Sequence, residues 1–580
     1  MTKLYDKYPS IPVSGWEQEV WVGYQEIADA LVARQSDREK TVIVIECYPG
    51  VRQKEILSGL SRLGSAAIVH AERAAKDKED VSNMIDRYLT DDRVFGYMAP
   101  FHIQDFYNSE KLEVLQDEVK QSNESIVIVI GTGASLIADG DIVIYADMTR
   151  WEAQLRFRSK EFGNWLADNQ EEDILRKYKR GYFIEWRAAD RLKRKQADRF
   201  HFYLDTIIPN EPKLISSRAY FDGLRQTVRR PFRMVPYFDP GVWGGQWLES
   251  QIELEPKEHP YAWGFDGVPE ENSLHLDFGK AKIDTPAINL VFFESKALLG
   301  ERVYARFGAE FPIRFDFLDT IGGQNLSLQV HPTTDYIREQ FGMPYTQDES
   351  YYILDAKPGA EVYLGLKEGI DQDAMIADLR RAQEEKYTFP AEKYINVYPA
   401  RKHDHFLIPA GTIHCSGSDA MVLEISATPY IFTFKLWDWD RLGLDGKPRP
   451  VHLEHGKNNI AWERTTPWID ENLVSQMDTL TENETWTEER TGLHPLEFIE
   501  TRRHWFTGPV EHTTEDCFHM LNLVEGAEAI VESPTGEFEP FTIRYAETFI
   551  IPASVGRYTI KPGLSSEGER HATVKAYVRN

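Results

Sequence analysis

Cysteine is scarce in this chain. Only Cys47, Cys415 and Cys517 occur in 580 residues, far apart in sequence. That excludes a disulfide framework and a CxxC site, and it fits a reducing compartment. Long apolar runs are also missing; none approaches the ~18 residues of a membrane-spanning helix. The opening stretch MTKLYDKYPSIPVSGWEQEV has no apolar segment behind a basic start, so no secretory signal is read there. A cytoplasmic protein is expected. Positive charge is in deficit too: 66 Lys and Arg face 93 Asp and Glu, a formal net charge of −27. So acidic a chain is a poor general partner for nucleic acid or an anionic membrane. A small anionic substrate needs only a locally basic pocket and is not excluded.

The length suits two to four domains, and 14 Trp argue against disorder. Three regions differ in pattern. Up to about residue 225, short Val- and Ile-rich runs (TVIVIECYPG, SAAIVHAE, SIVIVIGTGA, DIVIYADM) alternate with the helix-like VRQKEILSGLSRLG and SEKLEVLQDEVKQ. Buried parallel strands joined by helices have this signature. From about 230 to 480 short strands, turns and aromatics dominate, with a helical insertion near 370–386. From about 490 to the end more strands follow. Barrels or sandwiches fit both β-rich regions. HFLIPAGTIHCSG (405–417) and TFIIPASVGRYTI (548–560) echo one another, which suggests two related β modules. The second has no His at the matching turn, so a site there is expected only in the first.

In the first region CYPGVRQKEI follows a strand, where a phosphate loop would need G-x-x-x-x-G-K-[ST]. Aligned on Lys54, the two glycine positions hold Tyr48 and Gln53, and Glu55 replaces the hydroxyl. Glu55 would repel phosphate. The Arg- and Lys-rich stretches RFRSKEFGNW and RKYKRGYFIEWRAADRLKRKQADR lie where nucleoside-kinase-like domains keep a basic lid. The layout loosely resembles the P-loop fold of nucleoside or uridine kinases with a degenerate loop around Lys54. No nucleotide-binding residue is assigned, and solvated charged helices are the preferred reading of the basic stretches.

In the middle region LSLQVHP places Ser327, Gln329 and His331 on one face of a strand, because alternate residues share a face. Glu349 comes about one hairpin later, and His414 follows in the turn PAGTIHCSG. Two imidazoles, a carboxylate and an amide oxygen suit Zn²⁺, or Mn²⁺ or another divalent ion. LSLQVHP (326–332), ESYYIL (349–354), PGAEVYLGLKEG, IPAGTIHCSG (408–417), VLEIS (422–426), FTFKLWDWDR (432–441) and PRPVHLEH (448–455) together resemble the type I (cupin) mannose-6-phosphate isomerases. GVWGGQWL (241–248) and TFIIPA (548–553) extend that resemblance over about 230–580.

Ahead of that stretch the pattern gives an α/β parallel-sheet, P-loop-like domain (1–225). The isomerase resemblance implies a metal-binding cupin-like β-barrel with a helical insertion (226–485) and a second cupin-like barrel (486–580). It implies zinc on Gln329, His331, Glu349 and His414, a sugar-phosphate substrate, Glu424 as acid/base group and Ser327 against the phosphate. Two departures touch substrate handling. The family usually carries Lys where this chain has Gln347, and Arg where it has Lys435, which keeps charge but loses the guanidinium fork. Lys367, Arg401, Lys402 and Arg441 are candidates for replacement charge, Lys367 and Arg441 foremost. The expected reaction interconverts mannose 6-phosphate and fructose 6-phosphate through an enediol, with Glu424 moving the proton and Lys435 facing the enediolate. His405 and His452 are rival bases. The alternatives are an isomerase of another or non-phosphorylated sugar, and a non-catalytic sugar-sensing cupin fused to a pseudokinase.

Overall fold

A computed structural model describes residues 5–34, 39–385, 387–492, 494–566 and 568–579. The first four residues of the opening stretch and Lys386, the end of the expected insertion helix, lie outside the described residues. The chain divides into two units, one of Ser10–Thr227 with Ser273–Phe293, the other of Met1–Pro9, Val228–Asn272 and Glu294–Asn580.

In the first unit the four Val- and Ile-rich runs form strands Thr41–Cys47, Ala67–His70, Ile126–Gly131 and Ile142–Asp147. With Phe202–Asp205 they make a parallel array in the order Ala67–His70, Ile126–Gly131, Thr41–Cys47, Ile142–Asp147, Phe202–Asp205. Lys213–Ser216 and Val20–Val22 extend the sheet antiparallel. Ile43, Val44, Ile45 and Val127 are buried, as both-face coverage by helices requires. Helix Ser109–Gln121 starts where the Asn108 side chain accepts from the Lys111 N–H, satisfying one orphan donor.

The hairpin Ser273–Asp277/Lys282–Pro286 belongs to this unit although it is embedded in the β-rich sequence. Its Leu274, Leu276 and Ile283 are fully buried, and Asn289 just beyond it sits in a buried polar network. The Asn289 amide donates to Asp147 (2.8 Å) and accepts from Lys193 (2.9 Å), which also pairs with Asp147 (2.8 Å). Such a network is stable only when every member is satisfied, and the hairpin segment supplies one of the members.

The β-rich unit contains two pairs of antiparallel sheets. In the first pair one sheet runs His405–Ile408, Glu349–Ala356, Ala420–Ala427, Ile313–Asp319, Tyr261–Gly267, Tyr237–Pro240. The other runs Ile395–Pro399, Glu361–Leu366, His414–Ser416, Leu328–Val330, Phe434–Trp437. The second pair repeats the plan: Thr548–Ile551, His519–Glu525, His571–Val578, Ile499–Phe506, Trp486–Gly492, Asp478–Glu482 against Phe541–Arg544, Glu528–Glu532, Arg557–Pro562, Val510–Thr513. Leu521, Phe549 and Ile551 from one sheet and Val531, Ile543 and Ile560 from the other form its core. Of the expected barrels or sandwiches, both modules are open sheet pairs, because the edge strands of each pair bond on one side only. The expected insertion includes helix Gln372–Glu384, capped by Asp371 accepting from the Ala374 N–H (3.0 Å). Among the described residues no helix is long and apolar enough to cross a membrane, and all three cysteines are buried and free.

Candidate metal centre and the cup around it

Register builds the site. Gln329 pairs with His414 on one neighbouring strand and with Lys435 on the other. Directly paired residues share a face, so these three point the same way, and His331 follows two residues after Gln329. On the opposing sheet Glu349 pairs with Ser426, Tyr351 with Glu424, and Glu424 with Asp316. Glu349, Glu424 and Asp316 thus share a face as well. The turn before His414 needs Gly411, whose φ of 88° lies in the left-handed region. The Gly411 N–H donates to the His331 carbonyl at 3.0 Å, coupling the two histidine-bearing segments.

His331, Glu349 and His414 bring one ligand atom each within 4.8 Å of the others, all three buried. His331 Nε2 lies 3.0 Å from Glu349 Oε2, and His414 Nε2 lies 2.7 Å from Oε1. Both Nδ1 atoms face carbonyls: His331 to Phe432 O (3.3 Å) and His414 to Thr412 O (2.9 Å). A carbonyl only accepts, so each Nδ1 carries the proton and each neutral ring turns an Nε2 lone pair inward. Those lone pairs meet a carboxylate that is itself only an acceptor. His331 Nε2 and Glu349 Oε1 accordingly have no hydrogen-bond partner. Three sets of lone pairs converging in a dry cup fit a cation, and the donor set fits Zn²⁺ or another borderline divalent ion. Gln329 presents Nε2 to His414 (3.2 Å) and receives the Ser327 hydroxyl on Oε1 (3.1 Å). A half-turn of the amide exchanges these atoms and aims the oxygen at the cluster.

Burial raises the Glu349 carboxyl, and only positive charge beside it, on His331 and His414 or on a cation in their cup, outweighs that and holds it well below the usual range. Burial pushes Glu424 well above its ordinary value, with Asp316 and Glu349 adding repulsion and Arg314 opposing. Asp316 is pushed up to about 6, again by burial, with Arg314 opposing. Gln347 joins the two glutamates: its Nε2 lies 2.8 Å from Glu349 Oε2 and 3.4 Å from Glu424 Oε1. Sequence reasoning treated Gln347 only as a lost cation. It missed Arg314 and Asp316, although their alternation in IRFDFLD is visible.

Other expected residues fall elsewhere. His405 pairs with Tyr352 and stacks edge-on against it. Tyr352 points to the face opposite Glu349, so His405 is excluded as a base in the cup. His452 donates its backbone N–H to the Lys435 carbonyl (2.8 Å) and so lies beside that strand. Arg441 donates to the Asn325 carbonyl (2.7 Å) and pairs with Asp438, which also holds Arg449 (3.0 Å). Lys367 bonds the Glu392 carbonyl and Lys402 pairs with Glu525. Lys367 and Arg441 are therefore engaged by the protein's own groups rather than brought to the cluster.

In the α/β unit the strand–loop–helix order around Lys54 is present, but Lys54 is an exposed residue of helix Gln53–Leu60. The Gly50 carbonyl accepts from Arg156 (2.7 Å), Arg52 pairs with Glu161, and Glu55 accepts from Tyr24 (3.1 Å). The chain's own guanidinium groups close on the loop, so the geometry lends the P-loop expectation no support. The basic stretches are not simply solvated either. Lys177 is buried and donates to the Phe157 and Gln170 carbonyls at 2.6 and 2.7 Å.

A family described as "Domain of unknown function (DUF8485)" matches residues 23–229. The "Putative mannose-6-phosphate isomerase YvyI" of Bacillus subtilis is 23% identical over 346 residues, covering 58% of this chain and 96% of that protein. "Mannose-6-phosphate isomerase ManA" of the same organism is 22% identical over 332 residues, covering 57% and 96%. The "Mannose-6-phosphate isomerase" of Streptococcus mutans is 29% identical over 219 residues, covering 37% of this chain and 62% of that one. A crystal structure of the mannose 6-phosphate isomerase from Bacillus subtilis aligns at 20% identity and a TM-score of 0.48, covering 60% of this chain and 99% of that one. Homology to proteins of that name thus spans somewhat over half of the chain.

Proposed function

We propose that the β-rich unit is a metal-dependent aldose–ketose isomerase interconverting mannose 6-phosphate and fructose 6-phosphate through a cis-enediol. The observation that carries this reading is the buried convergence of His331, Glu349 and His414 beside Glu424. Homology to proteins named as mannose-6-phosphate isomerases supports it. Isomerisation takes a proton from C2 of the aldose and returns one at C1 of the ketose, while the hydroxyl proton passes from O2 to O1. A divalent ion held by Gln329, His331, Glu349 and His414 would supply Lewis-acid polarisation of the substrate oxygens. Glu424 shares the face of Glu349 and carries the proton between the carbons. Gln347 bonds both glutamates and is a positioning residue. Lys435, paired with Gln329 on the neighbouring strand, faces the negative charge that develops on the enediolate. Ser327 lies 3.1 Å from the Gln329 amide; with the amide oxygen turned to the ion its hydroxyl accepts from the NH2, a role at the metal centre ahead of the phosphate. No phosphoryl transfer is assigned to the α/β unit.

A second reading, an isomerase of a non-phosphorylated sugar, is favoured by one feature: Lys367 and Arg441 are already engaged. A coupled assay of the full chain with mannose 6-phosphate and with mannose, after chelation and after Zn²⁺ addition, separates the two. Turnover of mannose 6-phosphate that needs metal and falls about 10²- to 10⁴-fold in Glu424→Gln is expected. Preference for mannose identifies the second reading. Full activity in Glu424→Gln overturns the assignment of the base.

A further inference from the structure

The six-stranded sheets of the two pairs follow the same order, and four of the five strands of the other sheet recur, so the shared registers can be compared position by position. In the first pair Gln329 stands opposite His414; in the second His512 stands opposite Tyr558. Glu349 pairs with Ile408, and His519 pairs with Ile551. Tyr351 pairs with Glu424, and Leu521 pairs with Lys575, each two residues further along. Glu424 pairs with Asp316, and Lys575 with Arg502. Ser426 pairs with Arg314, and Tyr577 with Glu500. The carboxylates Glu349, Glu424 and Asp316 are thus replaced by His519, Lys575 and Arg502, while Arg314 is replaced by Glu500. In the second cup the charges at the Glu424, Asp316 and Arg314 positions are reversed, and the Glu349 position holds an imidazole.

This cup encloses a cavity of about 250 Å³ lined by His504, His512, His519, Lys575, Arg502 and Tyr577. Its carboxylates are accounted for or lie on the exposed side. Glu488 accepts from Arg502 (2.9 Å) and lies 3.2 Å from His504 Nε2, and Glu500 accepts from Arg502 (2.7 Å). Glu511 is exposed and 3.7 Å from Arg557, and Glu515 also lines the mouth. Lys575 is different. It is only 7% exposed, lines the cavity, and has its ammonium 5.6 Å from the Tyr577 ring centre with no carboxylate paired to it among the described residues. His504 Nδ1 and His512 Nε2 are buried without partners. Burial pushes the Lys575 amine down to about 8 and His504 to about 4, and holds His512 and His519 well below their ordinary values. His519 Nδ1 is taken by the Tyr558 hydroxyl (2.7 Å), but a nearly buried lysine lining the cavity beside two unpartnered imidazole nitrogens marks a site that can take an acceptor. A metal fits poorly. Among the described residues only the first cup brings three donors within 4.8 Å, and the Lys575 ammonium repels a cation.

We propose that the second cup binds a small oxyanion, phosphate either free or as a monoester, through Lys575 with His512 and His519. The site is separate from the proposed isomerase centre and does not rest on its activity. The sequence hid it because the turn IIPASVGRY lacks the His of IPAGTIH, yet Tyr558 occupies the equivalent register.

The test is competitive acetylation of the wild-type full chain, read at Lys575 by peptide mass spectrometry, with exposed Lys54 as reference. Inorganic phosphate at about ten times its dissociation constant should slow Lys575 acetylation roughly tenfold, since only the free fraction reacts. Lys54 should not change, and chloride at equal ionic strength should have no effect. Glycerol 3-phosphate run in parallel shows whether the free ion or the monoester binds better. Thermal shift provides the second readout: stabilisation by phosphate should vanish in Lys575→Met and survive in Glu349→Gln. Acetylation of Lys575 unaffected by saturating amounts of either compound overturns the proposal. So does phosphate stabilisation that persists in Lys575→Met, or saturable Zn²⁺ binding that is lost in His512→Phe.

Discussion

Replacing Glu349 by Gln tests the metal centre most directly. The amide keeps the volume of the carboxylate but removes the charge on which two imidazole lone pairs converge. A ligand that binds only the folded protein stabilises it by about 2.7 kcal/mol at one hundred times its dissociation constant. The β-rich unit has about 340 residues, and at about 2.1 cal/mol/K per residue its unfolding entropy is about 0.7 kcal/mol/K. Metal added at that level to chelated wild-type protein should raise Tm by about 4 °C. If Glu349→Gln weakens binding about a hundredfold, the same addition leaves only about 0.4 kcal/mol, a shift below about 1 °C. Differential scanning fluorimetry with Zn²⁺, Mn²⁺ and Co²⁺, before and after chelation, measures both proteins. Equal shifts in wild type and Glu349→Gln, or no shift of the wild type with any of the three ions, would refute the reasoning.

Two further predictions concern stability. Arg233 is buried between Glu547 (2.6 Å) and Asp266 (3.5 Å), with its guanidinium 4.8 Å from the Tyr5 ring centre. Arg233→Ala strands two buried carboxylates and should cost about 3–5 kcal/mol in urea denaturation; a loss below about 1 kcal/mol would mean that water solvates them. His405 is buried with neither ring nitrogen hydrogen-bonded, and burial holds it down at about 3. The unfolded chain takes up a proton near pH 6.5 that the folded chain refuses. Its stabilising effect is therefore complete above about pH 6.5 and is lost as pH falls towards the folded value, by about 2 kcal/mol at pH 5. Denaturation curves at pH 7.5 and 5 should show that loss in wild type on top of those from His504, His512 and His519, and His405→Phe should reduce the total by about 2 kcal/mol; an unchanged difference would place His405 in contact with solvent.

Much of this protein was legible in its sequence, and the boundary has a physical cause. Side-chain alternation is local, so Gln329 and His331 could be put on one face without coordinates. The Val- and Ile-rich runs likewise announced parallel strands, three of them buried, with Ala67–His70 at the sheet edge leaving Ile68 exposed. Donor chemistry is local too, which is why two histidines, a glutamate and a glutamine pointed to a divalent ion. Strand register is not local: it depends on which distant residues pair. Only the tertiary structure decided that Gln347 joins Glu349 to Glu424, that His405 faces away from the cup, and that the hairpin around Ser273 belongs with the parallel sheet. The reversed charges of the second cup emerged the same way, because His512, His519 and Lys575 become neighbours only when three separate strands align.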